Sequence, residues 1–185
     1  MYQTTAENYE IMTKLSSDFE REPLGYIVFQ IPDWENLDNK LNKNLFFGLQ
    51  LIKALPYKKI FNEIFDDDEN EFEKMIKIYN YVKTNYSWNQ TFSVYASTDL
   101  NKIMEIEEGN NADINLLLTM LLRNADLEAN PVIISTIDNG MIDTSFASIS
   151  QFNHVISAVE INEKVYLLDA IEPVSYTHLT LPTKR

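Results

Sequence analysis

Gly109-Asn-Asn-Ala-Asp-Ile-Asn-Leu-Leu-Leu-Thr-Met-Leu-Leu-Arg-Asn124 decides the fold. Within it Ala112, Leu116, Leu117, Met120 and Leu121 fall on one stripe at helical spacing, and Leu118 and Leu122 widen that stripe. A helix apolar nearly all round is buried rather than amphipathic. The pattern therefore predicts a central helix over 111–124, with Asn111 as its N-cap, a position that Asn fills well. The start of such a helix carries unsatisfied N–H groups and the positive end of the macrodipole, so it stabilises an anion such as a thiolate. The chain, however, contains no Cys.

Downstream, Pro131-Val-Ile-Ile-Ser-Thr-Ile137 reads as a central strand closed by the turn residues Asp138-Asn139-Gly140. Residues 153–161 and 164–171 form an expected hairpin around Asn162-Glu163. That turn pairs Ile161 with Lys164, and by extension His154 with Ile171. Asp169 then lies diagonal to His154 on the same face, within reach of it. A slip of one residue would separate them. An Asp beside a His fixes the tautomer and supports the imidazolium. His154 and Asp169 are thus candidate base and orienting acid, and Asn111 stands where a nucleophile would be generated. A carboxamide has no proton to lose near neutral pH and is a poor nucleophile. Each of the three also has an ordinary structural reading, as helix cap, sheet histidine and turn-side acceptor.

Upstream, Gly25-Tyr-Ile-Val-Phe-Gln-Ile31 reads as a strand stopped by Pro32, and residues 1–32 as the remnant of a preceding β-domain. From Asp33, a cap for Trp34-Glu35-Asn36, apolar residues at Leu37, Leu41, Leu45, Phe46 and Leu49 predict a helix running to Pro56. A short helix over 57–65 comes next, and residues 33–65 together read as a helical link. The run Asp66-Asp67-Asp68-Glu69-Asn70-Glu71 lacks the spaced ligands and the Gly of a calcium loop. Acidic residues suit a helix N-terminus, so the run reads as a solvated cap for a helix with Phe72, Met75, Ile76, Ile78, Tyr79 and Val82 on one face. Residues 88–98 read as an aromatic loop packed on the core.

The last residues, 174–185, do not continue this pattern. Back-translated, Val174-Ser-Tyr-Thr-His-Leu-Thr-Leu-Pro-Thr183 resembles a transposase adapter from sequencing libraries, so the tail reads as a scar with no part in the fold. On that reading His154 is the one genuine histidine, and the natural sequence continues past Pro173. No signal peptide is visible at Met1, and no run of about 18 or more apolar residues occurs.

Composition narrows the function classes. A net charge of −13 with no concentration of Lys or Arg argues against nucleic acid. Apolar residues make up 45% of the chain, with ten Tyr and ten Phe, enough for a core in one domain. The missing Cys excludes disulfides and thiolate zinc sites. Neither a metal nor a cofactor is expected, and the oligomeric state is not encoded in any pattern of the sequence.

The stretch from Phe72 to Pro173 resembles the transglutaminase-like superfamily. It is similar above all to a bacterial branch in which this domain sits between two β-rich domains of a large exported protein. The resemblance rests on Gly109-Asn-Asn-Ala-Asp113 with Leu116-Leu-Leu118, on Asn130-Pro-Val-Ile-Ile-Ser-Thr136 and Asn139-Gly140, and on Phe152-Asn-His-Val-Ile156 with Tyr166-Leu-Leu-Asp-Ala170. The family pattern is a Gly-x-Cys-x-Asp helix start, a His strand and an Asp strand. Carried over by position, Asn111 takes the Cys site, Asp113 the following acid, His154 the base and Asp169 the orienting acid. Cys and Asn codons differ at more than one position, so a single base change does not account for Asn111.

The resemblance implies an α+β, papain-like fold, in which N-terminal helices and a buried central helix pack on an antiparallel sheet. The core would span 66–173, truncated at its C-terminus. The family activity is acyl transfer or peptide hydrolysis through a thioester, which a chain without the thiol cannot perform. The resemblance thus implies a non-catalytic domain of an exported protein in the periplasm or cell envelope. It would bind a protein or peptide partner at a polar cleft holding Gly109, Asn110 and Asp113. The alternative is a thiol-independent hydrolase or acyltransferase that uses the retained His154–Asp169 pair.

Overall fold

A computed structural model describes residues 33–53, 56–66 and 68–171. The remnant strand over 25–31 and the tail over 174–185 lie outside the described residues. Asp33 caps the first helix, α1 (Trp34–Asn42), by accepting from Asn36 N at 2.5 Å. The helix expected to reach Pro56 stops at Asn42 instead. The carboxamide of Asn44 takes the Phe46 N–H at 2.7 Å, a local turn that competes with helix. Gly48 then lies so close to Asn42 that a Cβ would meet its carbonyl oxygen at 2.4 Å. A 3₁₀ turn over Gly48–Gln50 comes next, and Leu45 and Phe46 are exposed.

This N-terminal segment is fastened to the rest of the domain. Trp34 packs edge-on against Phe152, Phe46 O accepts from Ala96 N at 2.8 Å, and buried Gln50 accepts from Leu100 N at 3.3 Å. Helix α2 (Tyr57–Ile64) carries a ladder of rings, Tyr57, Phe61 and Phe65. Helix α3 (Glu71–Asn85) opens with a capping box between Asn70 and Glu73. The cap is therefore Asn70, while Asp66 and Glu69 of the acidic run clasp Lys77 in the second turn of the helix.

A two-residue strand β1 (Ser87–Trp88) pairs in parallel with β2 (Glu108–Gly109), and the short helix α4 (Leu100–Ile106) lies between them. Next comes the helix read from the sequence, α5 (Asn111–Asn124), in which every residue from Asn111 to Leu122 is buried. It packs on α3 and α4 and on the sheet. Burying each of its Leu side chains is worth about 1.5–3 kcal/mol, so this helix dominates the core.

The sheet is antiparallel in the order β3 (Glu128–Ile134), β4 (His154–Ile161), β5 (Lys164–Leu168). Among the described residues the strand expected to be central, around Pro131, is an edge of the sheet, and β4 is central. Proline has no N–H to give a second neighbour, so the edge is where it fits. The β4–β5 turn at Asn162-Glu163 is as expected, with both residues at positive φ (51° and 62°). Ile161 pairs with Lys164, but the ladder ends at Ser157–Leu168. His154 pairs with Ile134 of β3 rather than with Ile171, and Asp169 lies just past the strand. Among the described residues no helix is long and apolar enough to cross a membrane.

Candidate functional site

The polar residues at the start of α5 do two jobs. Asn110, not Asn111, is the N-cap. Its carboxamide oxygen accepts from Asp113 N, and Asp113 Oδ2 accepts from Asn110 N, both at 2.8 Å. Gly109 makes room for this box, because a Cβ there would come within 2.6 Å of Asp113 Cβ. The same residues then reach across to the loop after β1. Asp113 accepts from Ser97 N (2.8 Å) and Ser97 Oγ (2.7 Å), and Asn110 Nδ2 donates to Tyr95 O (3.0 Å).

Asn111, the first residue of α5, completes the fastening. Its N–H donates to Thr91 O at 3.2 Å, and its Oδ1 accepts from Ser93 N at 2.5 Å. Residues 91–97 thus form a strap across the helix start. Trp88 steadies it, donating from Nε1 to Thr91 O and packing on Phe92. Phe92 in turn stands edge-on over the His154 ring, with centroids 5.4 Å apart. Beneath this strap Asn111, Asp113 and His154 are each 0% exposed.

His154 and Asp169 meet by a route other than strand pairing. His154 Nε2 lies 2.7 Å from Asp169 Oδ2 although the two residues are not cross-strand neighbours. What brings Asp169 round is Asn115, one turn after Asn111. Asn115 Nδ2 donates to Asp169 Oδ1 and to Val155 O, each at 2.9 Å, and its Oδ1 accepts from Ala170 N at 2.9 Å. Tyr79 Oη adds a bond to Asp169 O at 3.1 Å. An ionised carboxylate only accepts, so Nε2 carries a proton in this contact; in the neutral imidazole Nδ1 then keeps the lone pair.

Asn115 is the residue the sequence reading missed. The signal was present as a polar stripe through an apolar helix: Asn111, Asn115 and Thr119 are spaced four apart, and the last two bond Val155 and Ser157 of β4. Thr119 Oγ1 contacts Ser157 Oγ at 2.6 Å, and Ser157 Oγ donates to Asn115 O at 3.0 Å. A search for apolar periodicity passes over such a stripe.

Residues 58–167 match the transglutaminase-like superfamily, which is more than half of the chain. The chain belongs to that superfamily. It is similar to the crystal structure of a "putative protease" from Parabacteroides distasonis ATCC 8503, with a TM-score of 0.53 and 19% identity over 72% of this chain. The chain spans 25% of that structure's length, and at this identity the likeness is one of fold. No curated protein matches the chain in sequence at a significant level.

Proposed function

We propose that this domain is a non-catalytic member of its superfamily, acting in binding or assembly within a larger exported bacterial protein of the periplasm or cell envelope. The observation that carries this reading is Asn111. It stands at the helix start, where the family resemblance puts the nucleophilic Cys, and its carboxamide oxygen is engaged by Ser93 N. A carboxamide held in that way neither ionises nor attacks an acyl group. The His and Asp of the ancestral triad persist as packing and hydrogen-bonding residues, and the partner is a protein or peptide. The polar atoms of Asn110 and Asp113 serve the helix cap and the strap, so a partner meets the outer surface of this region rather than the buried residues themselves.

A second reading has one observation in its favour, the 2.7 Å contact between His154 and Asp169. Such a pair activates water in other enzymes, and a helix start supplies N–H donors for an oxyanion. Against it stands the complete burial of His154. The two readings part on a turnover assay with a mixed peptide and amine panel. The non-catalytic reading expects no turnover above background, from either the unaltered chain or His154→Ala. Turnover that is lost in His154→Ala establishes the second reading.

A further inference from the structure

Among the described residues three buried side-chain polar atoms have no hydrogen-bond partner, and two of them are Asn111 Nδ2 and His154 Nδ1. Their chemistry is fixed by the bonds their other atoms make. Ser93 N donates to one end of the Asn111 carboxamide, so that end is the oxygen and the other is a donor NH2. Asp169 accepts from His154 Nε2–H, so in the neutral imidazole Nδ1 is an acceptor. One atom needs an acceptor and the other needs a donor.

The same few elements surround both atoms. Asn111 and Asn115 are four apart on one face of α5, and Asn115 bonds both Val155 O and the carboxylate that holds His154. From the opposite side, consecutive strap residues touch them: Phe92 covers the His154 ring and Ser93 binds Asn111. Both side chains are 0% exposed, and neither atom reaches the other in hydrogen-bonding geometry.

We infer that Asn111 Nδ2 and His154 Nδ1 together hold one buried water molecule at the start of α5. The bridging group must accept from an amide and donate to an imidazole, and water does both with one heavy atom. An anion would face the Nδ1 lone pair with the Asp169 carboxylate close behind it. A cation would face the amide donor and the positive end of the helix. The water completes a chain from Ser93 through Asn111, His154, Asp169 and Asn115 to Ala170, joining the strap, α5, β4 and the segment after β5. This inference goes beyond the non-catalytic reading and does not depend on it.

Imidazole nitrogen resonances test it in the ¹⁵N-histidine-labelled chain carrying His178→Asn, which leaves His154 as the one histidine. The expected spectrum has a protonated Nε2 and an unprotonated Nδ1 displaced upfield from a free imine-type nitrogen. The ring protons should also exchange magnetisation with a long-lived water. Asn111→Leu, which removes the amide donor, should abolish the water signal and return Nδ1 to the free position. In the chain with Asn111 intact, three results overturn the inference: a protonated Nδ1, a free-type Nδ1, or a signal from the Asn111 amide protons in place of water. That spectrum decides even if the Leu variant fails to fold. Turnover dependent on His154 would refute the functional reading and leave the bridge standing.

Discussion

The backbone N–H of Ser93 donates to the side-chain oxygen of Asn111 at 2.5 Å, tying the loop after β1 to the first residue of the buried helix. A Cys side chain has only a weak sulfur acceptor to offer in that place. Asn111 is thus the residue that fastens the strap. On the proposed non-catalytic reading, the same residue also accounts for the absence of a nucleophile.

Asn115 holds the end of the sheet to α5, and Asn115→Leu should show it. The substitution leaves Ala170 N without its acceptor and removes a donor from Asp169 Oδ1. Orphaned buried groups of this kind cost about 1–3 kcal/mol each, so a loss of about 2–4 kcal/mol is expected in urea unfolding. A change below about 0.5 kcal/mol, the usual range for surface substitutions, would mean that the carboxamide is not the clamp.

Asn111→Cys probes whether the helix start favours a thiolate. The new thiol sits at a helix start near His154, so its ionisation, followed by thiolate absorbance, should fall below the ordinary value of about 8.5. In the double variant with His154→Ala it should move back toward that value. An ordinary titration in the single variant would show that the helix start has been remodelled around the carboxamide.

The hairpin turn carries Glu163 at φ 62°, a conformation that costs a non-Gly residue energy. Glu163→Gly should raise stability by about 0.5–1 kcal/mol after the entropy of Gly is subtracted. Thermal unfolding measures this, and a lower melting point would contradict the turn geometry.

Lys53 donates to Asp99, and with the Asn101 N–H it holds the Asp99 carboxyl below its ordinary range. A carboxyl depressed in the folded state contributes stability above its unfolded pKa, about 3.9, and that stability is lost as pH falls through the folded value. Lys53→Met should therefore flatten the fall in urea midpoint on acidification below about pH 4. Both side chains are partly exposed, so the effect is small. An acid limb of unchanged steepness would count against the pair.

Much of this fold is legible in the sequence, because its strongest signals are local. Continuous burial of α5, the Asn162-Glu163 turn and the Asp33 cap each follow from a few neighbouring residues. The expected proximity of His154 and Asp169 also holds, but for a different reason. Strand pairing was to bring them together, whereas the strand ends at Leu168 and Asn115 does the work. Sequence spacing cannot reveal a side chain on a distant helix that redirects the chain past a strand end. The first helix fails at Asn42 for a related reason, since Asn44 and Gly48 favour a tight reversal that apolar periodicity does not register. The strap is the least legible part. Residues 91–97 carry no regular period, and their order comes from contacts with distant residues, among them Asn110, Asn111 and Asp113.

Closure of the helix start by Asn111 is the central claim, and amide hydrogen exchange at Ser93 tests it most directly. In the unaltered chain Ser93 N–H should be protected, unlike that of exposed Gln90 in the same loop. In Asn111→Ala it should exchange roughly tenfold faster or more, equivalent to about 1.4 kcal/mol of lost closure. Exchange at Ser93 as fast as at Gln90 in the unaltered chain, or exchange unmoved by Asn111→Ala, would contradict the account.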